Sequence, residues 1–456
     1  METIIIILFV LGYLAITLEH NLKIDKMIPA LAMMSLLWAV IALNHMPVFE
    51  VNTELQELEG GSLEAILLHH LGKTAEILVF LLGAMTIVEI IDYFDGFSTI
   101  KSFIKTRKKK SLLWIIATLA FILSAIIDNL TATIVLITIL QKIIKERELR
   151  LWFAGIIIIA ANAGGAWSPI GDVTTTMLWI ANKVTAAVLI EHVLVPSIVC
   201  YAIPTFLASR MSVFKGEIDV VEGDDDKPKS KYGATMFYLG LGMIIFVPIF
   251  KTITHLPPYV GMMLSLAVVA AFAEVYSNRK FSISEVSTGS EVHDGSHYSP
   301  VHKALSKIEL PSILFFLGIL MAVAAMESLG MLYHFAGTLN ETVPGMGTEL
   351  HSTKISDLVV LILGAGSAVI DNVPLVAASI GMFQVGTDEP AWHFIAYSAG
   401  TGGSMLIIGS AAGVVAMGME KIDFFWYFKK IAWLALVGFL AGAAVFILIR
   451  NFILNV

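Results

Sequence analysis

The stretch Ser124-Ala-Ile-Ile-Asp128-Asn129 occurs again, with a single Ile-to-Val change, as Ser367-Ala-Val-Ile-Asp371-Asn372. The two copies are 243 residues apart, and each lies within a long apolar segment, at 111–140 and 357–385. A charged side chain inside a bilayer is costly, so intramembrane carboxylates are rare and mark ion or proton sites by default. This repeated Asp-Asn pair therefore determines how the rest of the sequence is interpreted.

The composition is that of an integral membrane protein. Of the 456 residues, 57% are hydrophobic and only 14% are charged, against about 25% charged in soluble proteins, and the mean hydropathy is +0.83. Apolar stretches of about 20 residues, the length of a spanning helix, recur throughout. Besides the two segments with Asp-Asn pairs, we predict spans at 3–18, 27–45, 74–91, 151–180, 193–209, 234–250, 259–277, 311–328, 391–418 and 431–449.

Several classes of protein are disfavoured at this stage. The single cysteine, Cys200, excludes a disulfide within the chain and argues against a cysteine-based metal site. The first apolar span follows Glu2 and has no small-residue cleavage site after it, so we expect a retained helix rather than a signal peptide. We expect a lipid bilayer as the environment, with no cofactor and no nucleic-acid partner.

The charged flanks predict how the two Asp-Asn segments sit in the bilayer. Segment 111–140 lies between loops 92–110 and 141–150, which are rich in Lys and Arg and are therefore predicted to be cytoplasmic. The segment would then enter and return as a re-entrant hairpin with Asp128-Asn129 at its tip. Segment 357–385 has flanks poor in Lys and Arg, which predicts the same hairpin from the external face. With an external N-terminus, 24 of the 29 Lys and Arg residues fall inside and 5 outside.

Two more matches extend the repeat along the chain. Phe80-Leu-Leu-Gly83 recurs as Phe315-Phe-Leu-Gly318, 235 residues later, and Gly164-Gly165 with Gly171 recurs as Gly402-Gly403 with Gly409, 238 residues later. Inverted repeats with broken helices are typical of secondary transporters. We therefore predict an all-α polytopic membrane protein with two inverted-topology repeats, each with five spanning helices, one of them broken, and one re-entrant hairpin.

The boundaries of the two predicted repeats follow from these matches. The first repeat covers 1–210, and a cytoplasmic linker at 211–231 connects it to the second repeat at 232–456, which includes a cytoplasmic loop at 278–310. The predicted hairpins and broken helices are 111–140 and 151–180 in the first repeat, and 357–385 and 391–418 in the second.

Oxygen-bearing side chains gather around the Asp-Asn pairs. Carboxylate, amide and hydroxyl oxygens are the ligands that hard cations such as Na⁺ prefer. The alternative is that each Asp only caps the half-helix after the turn, but capping alone does not require two matched copies. We predict Na⁺ at Asp128, Asn129, Asp172, Asp371 and Asn372. Further candidate ligands for the ion or proton are Ser124, Thr133, Asn162, Ser168, Thr174, Thr175, Ser367, Thr401 and Ser404.

The broken helices supply several of those candidates. Glycines, and Pro169 in the first, interrupt the spans in the middle, and interrupted helices present half-helix termini and free carbonyls to ions. Close packing by small residues is the alternative, although it gives no reason for Asp172. Glu89 and Glu327 lie late in the two helices with the matched Phe-Leu-Gly. Each could relay protons, or could instead sit at an interface or pair with a lysine.

These residues resemble the NhaD-type sodium/proton antiporters of the ion-transporter superfamily. The resemblance lies in Phe80 to Glu89, Ser124 to Thr133, Asn162 to Thr176, Ser367 to Ala378 and Ser398 to Ser410, which agree in order and spacing. It implies exchange of Na⁺ or Li⁺ for H⁺ at a central site between paired hairpins, a role in pH homeostasis, and a bacterial inner membrane or an organelle membrane of bacterial descent. The N-terminus is not transit-like, which favours the bacterial case. Because transporters of this architecture often dimerise, a homodimer is left open.

The expected mechanism is competition between Na⁺ and H⁺ for Asp128, Asp172 and Asp371. Burial raises the pKa of any carboxyl group, so protons compete even when they are scarce. The alternative within transport is a proton- or sodium-coupled carboxylate or oxyanion permease of the same superfamily, which would need a cationic site that the hairpins lack. An intramembrane aspartyl protease is disfavoured because Pro169-Ile-Gly-Asp172 only half fits a Gly-x-Gly-Asp motif, so we expect no enzyme. A passive channel is a further alternative, which a measurement of saturable exchange would exclude.

Overall fold

The computed structural model is nearly all-helical and describes residues 1–17, 22–52, 57–101, 103–104, 106–218, 232–288, 299–332, 334–335, 355–369, 371–383 and 385–452. Its helices are Glu2–Thr17, Met27–Leu43, Leu63–Tyr93, Ser98–Lys101, Lys109–Ile127, Asn129–Ile143, Arg147–Ala166, Val173–Ile180, Ala186–Ser209, the 3₁₀ turn Ser212–Phe214, Gly233–Thr254, Pro258–Thr288, Pro300–Lys307, Leu310–Ser328, Asp357–Gly366, Asn372–Met382, Pro390–Gly402, Ala411–Glu420, Phe424–Lys430 and Ala432–Phe452. The predicted all-α class is confirmed in its main feature.

One β-hairpin departs from that prediction. Strands Val48–Asn52 and Glu57–Gly61 pair antiparallel, with Val48 opposite Gly61 and Asn52 opposite Glu57. The segment joins two apolar helices and carries several carboxylates. Isolated two-stranded hairpins have marginal stability in water. The pattern of apolar and polar residues in this short stretch does not distinguish a strand from a loop.

Eight helices among the described residues are long and apolar enough to cross a membrane, so the chain is a multi-pass membrane protein. The predicted span at 74–91 begins earlier than expected, since the helix is Leu63–Tyr93. Its first turns carry His69, His70 and Lys73, which lower the local hydropathy and line a cavity. Residues 278–288 and Pro300–Lys307 are also helical, although 278–310 was predicted to be a loop.

Both predicted hairpins contain a break at the Asp-Asn pair. Lys109–Ile127 ends at Asp128, and Asn129–Ile143 begins immediately after it. In the second copy Asp357–Gly366 and Asn372–Met382 flank the break. The two predicted broken helices are also interrupted, between Arg147–Ala166 and Val173–Ile180 and between Pro390–Gly402 and Ala411–Glu420.

Glycines allow each broken helix to touch its own hairpin. A Cβ on Gly164 would overlap the carbonyl of Phe121, and a Cβ on Gly402 would overlap the carbonyl of Gly364. The next glycine in each copy repeats the pattern, because a Cβ on Gly165 would lie 2.7 Å from the Gly171 oxygen and one on Gly403 would lie 2.6 Å from the Gly409 oxygen. The predicted glycine matches therefore coincide with equivalent close approaches in the two halves.

We expect Gly402→Ala to destabilise the protein by about 3 kcal/mol, since overpacking against backbone cannot be relieved by a side-chain rotation. Gly418→Ala is the matched control, because nothing lies within 4 Å of its added methyl group and alanine is the better helix former. Apparent melting temperatures in detergent should fall for the first variant and stay level or rise for the second. Equal melting temperatures for Gly402→Ala and the parent would contradict the close approach.

By packing, the chain falls into two compact units. The first comprises Met1–Leu78, Lys108–Ile218 and Pro311–Val456, and the second comprises Val79–Arg107 and Asp219–Leu310. Both hairpins and both broken helices belong to the first unit. In the second, Gly233–Thr254 packs along Pro258–Thr288. Each unit takes segments from both halves of the sequence, and the repeat boundaries at 1–210 and 232–456 stay a prediction.

The end of each broken helix is bonded to a residue that follows the hairpin of the other half. Arg147 Nη2 donates to the Lys421 carbonyl at 3.0 Å, and the Asp388 amide donates to the Lys183 carbonyl at 2.8 Å. Lys183 and Lys421 are 238 residues apart, the offset of the glycine match. The two accepting carbonyls are thus at equivalent positions, although one donor is a side chain and the other a backbone amide.

Candidate functional site

Asp128 occupies the break of the first hairpin. Its φ of 94° and ψ of 159° lie outside the conformations that residues with a side chain normally adopt. Its Oδ1 accepts from the Thr131 amide at 2.7 Å and its Oδ2 from the Thr131 hydroxyl at 2.8 Å. The carboxylate therefore caps the helix Asn129–Ile143, as the capping interpretation predicted, while its backbone is held in a conformation that a cap alone does not need.

Asp172 is the most enclosed of the three predicted carboxylates, with 3% of its surface exposed. Its Oδ2 accepts from Asn129 Nδ2 and from Asn372 Nδ2, both at 3.1 Å. Its Oδ1 accepts from the Thr174 amide at 3.2 Å, at the start of the helix Val173–Ile180. A single buried carboxylate thus joins the Asn of one hairpin to the Asn of the other.

A chain of amides and hydroxyls continues from this carboxylate into the second broken helix. Asn129 Nδ2 also donates to Asn162 Oδ1 at 3.1 Å, and Asn162 Nδ2 donates to Ser410 Oγ at 2.9 Å. Asn162 is fully buried. Buried polar groups are held by such bonds because leaving them unpaired is costly. The four predicted elements therefore meet at one polar cluster, which we call the central site: Asn129, Asn162, Asp172, Asn372 and Ser410.

Ser410 occupies in the second half the position that Asp172 occupies in the first. The two residues are 238 apart, both cap the second part of a broken helix, and their backbone angles are −147°, 149° for Asp172 and −147°, 153° for Ser410. The third carboxylate is thus confined to the first half, as the sequence indicated. Ser410 was not among the predicted site residues, although the same offset identifies it.

Asp371 has a different partner from Asp128. Its Oδ2 lies 3.0 Å from the ammonium group of Lys26, and its Oδ1 accepts from the Val373 amide at 3.5 Å. Lys26 immediately precedes the helix Met27–Leu43. The sequence places no Lys or Arg within a hairpin or broken helix, and Lys26 reaches the hairpin from a neighbouring helix instead. Its only sequence signal is its position at the end of an apolar span, from which a long side chain can extend.

Six of the predicted hydroxyl ligands bond to nearby backbone in this structure. Ser124 Oγ donates to the Ala161 carbonyl at 2.5 Å, which joins the first hairpin to its broken helix. The others make local bonds that serve helix ends and turns: Ser367 to Gly364, Thr175 to Gly165 and Asp172, Thr401 to Tyr397, Ser404 to Thr401, and Ser168 with the Ile170 amide.

Thr133 differs from that group. Its side chain is fully buried, and within the described part of the chain its hydroxyl oxygen has no hydrogen-bond partner. It lies one turn beyond Asn129 on the same half-helix. An uncompensated buried hydroxyl is destabilising, so an oxygen in this position is available to a ligand.

Glu327 lies at a cavity within the first unit. The cavity has a volume of about 1090 Å³, and Lys73, Lys183 and Glu327 are among its lining residues. Ile180 and Ile380 also line it, and they lie on the two half-helices that begin at the central site. Eight residues of helix span about 12 Å, so roughly that length of helix separates Asp172 from the cavity. Glu89 belongs to the second unit.

The chemistry available at the central site suits a monovalent cation and a proton. A buried carboxylate is surrounded by amides that can present either N–H or C=O, since each Asn carries both. No cluster of three or more His, Cys, Asp or Glu side chains that could hold a metal ion is found in the described ranges. The geometry therefore offers oxygens for a hard cation.

Comparisons with known proteins agree on the class of molecule. The family model CitMHS, described as a citrate transporter, matches residues 6–395. Sodium/proton antiporter 1 of Arabidopsis thaliana is 40% identical over 455 residues, covering 98% of this chain and 72% of that protein. The Na(+)/H(+) antiporter NhaD of Vibrio cholerae is 30% identical over 429 residues, covering 91% of this chain and 84% of that protein.

A solved structure supports the fold. The crystal structure of the Alcanivorax borkumensis YdaH transporter, described as having an unusual topology, matches with a TM-score of 0.57 at 13% sequence identity. The match covers 94% of this chain and 98% of that one. At this identity the likeness concerns the arrangement of the helices alone.

Proposed function

Because the chain belongs to the NhaD-type sodium/proton antiporters and to the transporter family of the CitMHS model, we propose that it exchanges Na⁺ for H⁺ at the central site. The observation that carries this proposal is the Asp172 carboxylate, which is buried and bridges the Asn residues of both hairpins. Na⁺ and H⁺ each neutralise a carboxylate, so the same group can bind either ion. A bound ion leaves only when another cation replaces it, because an unneutralised buried carboxylate is costly.

The hydrogen bonds of the two asparagines suggest how the site accommodates the cation. The amide N–H groups of Asn129 and Asn372 donate to Asp172 Oδ2. Na⁺ takes oxygen ligands, so these donors have to be replaced. Rotation of each amide by half a turn presents its carbonyl oxygen instead. In this mechanism Asp128, Asp371, Thr133 and Thr174 provide further oxygens around the ion.

The inverted arrangement of the two halves forms part of the same proposal. The repeat is supported by the nearly equal backbone angles of Asp172 and Ser410, and its inversion by the Lys and Arg content of the segments that flank the two hairpins. Half-helices that meet at a central site from opposite faces are the usual means by which secondary transporters hold an ion. We propose that the two hairpins enter from opposite sides, the first from the cytoplasm.

Water access is proposed through the cavity at Glu327. This carboxylate and Lys73 and Lys183 surround a volume large enough for many water molecules, and two half-helices run from there to the central site. Glu327 is thus placed to receive or deliver protons. A relay role for Glu89 rests on its sequence position alone.

A coupled carboxylate or oxyanion permease is the second candidate. It is favoured by the printed description of the CitMHS family, but the named relatives of highest identity here are sodium/proton antiporters. An organic anion would meet Asp172 and two more carboxylates near the central site. Lys26 does not offset this, since it is already paired with Asp371.

The test is proton movement in sealed vesicles. Addition of NaCl without any organic anion should release protons from an acid-loaded lumen, with saturable dependence on Na⁺, and LiCl should substitute. Asp128→Asn and Asp371→Asn should each lower the rate by at least about tenfold, since a charge that binds the cation is removed. Exchange that requires citrate, or full activity in both variants, would contradict the proposal.

We further propose a bacterial inner membrane as the location, with loops 92–110 and 141–150 cytoplasmic and the N-terminus external. The support is the Lys and Arg distribution together with the bacterial NhaD relatives. We also propose that Li⁺ is a second transported cation and that the protein forms a homodimer in the membrane. We propose no enzymatic activity.

A further inference from the structure

The contact between Lys26 and Asp371 lies beside the central site. The ammonium nitrogen is 3.0 Å from Asp371 Oδ2, and the two side chains are 26% and 15% exposed. The same nitrogen lies 4.5 Å from the centre of the Phe315 ring, an additional attraction for a cation. Surface ion pairs are weak because water competes for both partners, whereas this pair is largely enclosed.

The helix that carries Lys26 is closely packed against a neighbour. A Cβ on Gly318 would lie 2.7 Å from the Ala30 carbonyl carbon, so the two helices touch through their backbones. Eight residues after Ala30 on the same helix, Trp38 Nε1 donates to the Met321 carbonyl at 2.9 Å. The backbone of Lys26 is therefore fixed on a packed helix pair, and the ion pair links that pair to the tip of the second hairpin.

The pair has no equivalent in the sequence of the other half. Gly318 matches Gly83 at an offset of 235, and adding 235 to 26 gives position 261, which is a glycine. Asp128, the counterpart of Asp371, is instead bonded to Thr131. The two Asp-Asn pairs, which the sequence suggested to be equivalent, therefore differ in their partners.

We propose that Lys26 is the resident counter-cation of Asp371, and that Na⁺ reaches this carboxylate only when the ammonium group withdraws. This inference rests on the proposed exchange function and deepens it. The charged or titratable groups that act on Asp371 from the packed elements are Lys26, Tyr13 from the first helix and Asp172 from the first broken helix. Lys26 is the one cation among these three.

A consequence follows for Na⁺ binding. The ammonium group of Lys26 and Na⁺ are both cations that compete for Asp371 Oδ2. Removal of the ammonium group should therefore lower the Na⁺ concentration for half-saturation, because Na⁺ then binds without first displacing a resident cation.

The experiment uses Lys26→Gln, Lys26→Arg and, as a matched control, Lys23→Gln, whose side chain is exposed in the same loop. Na⁺ binding to the purified protein is followed by thermal shift at increasing NaCl concentrations. Lys26→Gln should bind Na⁺ about tenfold more tightly, as expected if Lys26 occupies Asp371 about 90% of the time. Lys26→Arg and Lys23→Gln should keep the parental Na⁺ affinity.

The outcomes separate the two proposals. A Na⁺ affinity of Lys26→Gln equal to that of the parent overturns the role of Lys26, even if the protein exchanges Na⁺ for H⁺. A loss of melting temperature in Lys26→Gln with unchanged Na⁺ affinity also overturns it, because that pattern is purely structural. Intact Na⁺ binding without any Na⁺-driven proton movement in vesicles would instead overturn the exchange function alone.

Discussion

Asp172→Asn should abolish sodium/proton exchange, with a fall of at least about 100-fold at any Na⁺ concentration, equal to about 2.7 kcal/mol of lost stabilisation. The substitution keeps the shape of the side chain and its cap on the Thr174 amide. It removes the charge that both ions neutralise, and it places a third amide against the Nδ2 groups of Asn129 and Asn372. The measurement is the initial rate of Na⁺-driven proton release in vesicles.

Asp95→Asn is the control for this substitution. Asp95 is exposed and has a φ of 56°, a left-handed conformation that Asn also tolerates, so this variant should exchange at the parental rate. Thermal shift with and without NaCl distinguishes loss of the ion from loss of folding. Asp172→Asn should melt close to the parent without Na⁺ and gain no stability when Na⁺ is added. Retained stabilisation by Na⁺ would exclude Asp172 as the shared carboxylate.

Much of the fold was predictable because lipid imposes simple rules. The length of an apolar segment predicts a spanning helix, and the Lys and Arg content of a loop predicts the side of the membrane on which that loop lies. The same reasoning failed where polar residues belong to a spanning helix. His69, His70 and Lys73 shortened the predicted span, since their role in lining a cavity depends on helices that are far away in sequence.

The central site was predictable to the extent that it is repeated. Offsets between the two halves identified Asn129 and Asn372 together with the adjacent Asp128 and Asp371, and Asp172 was noticed because a carboxylate has no packing role in a broken helix. The role of the hydroxyls as ligands stays a prediction, and Ser and Thr close to helix ends commonly bond to the backbone. Six of them do so here, and a sequence cannot show which hydroxyls do.

Lys26 shows the limit of this approach. Its contact with Asp371 joins residues 345 positions apart, and nothing in either local sequence indicates the other. The pair depends on how closely the helix Met27–Leu43 approaches the second hairpin, and that helix is held by a close backbone contact between Ala30 and Gly318. Tertiary contacts of this kind break the symmetry that a repeat suggests, and they have to be read from the structure.

The second large effect is expected at Arg450 and Asp357. Arg450 Nη1 and Nη2 donate to the two oxygens of Asp357 at 2.7 and 2.6 Å, and the two residues are only 6% and 8% exposed. Asp357 is the first residue of the second hairpin, and Arg450 lies near the end of the helix Ala432–Phe452. A two-point bond of this geometry is among the strongest that a carboxylate accepts, and it ties the base of the hairpin to that helix.

Arg450→Ala should destabilise the protein by about 3–5 kcal/mol, because it leaves a carboxylate buried without its partner. Arg210→Ala is the matched control at the end of another long helix. Arg210 is exposed and only stacks on Phe206, with 4.7 Å from the guanidinium carbon to the ring centre, so its removal should cost less than about 1 kcal/mol. Apparent melting temperatures in the same detergent rank the two variants, and equal values would refute the importance of the buried pair.

The double substitution Arg450→Met with Asp357→Leu distinguishes the cost of an unpaired buried charge from the loss of contact between the hairpin and the helix. Replacing both members of a buried pair by apolar groups removes the cost of burying each charge, and such replacements are often neutral or stabilising. The double variant should therefore recover most of the stability that Arg450→Ala loses. Because neither residue belongs to the central site, it should also retain Na⁺-dependent thermal stabilisation. Recovered stability together with lost exchange would mean that the ion pair acts in the movement of the hairpin and not only in its folding.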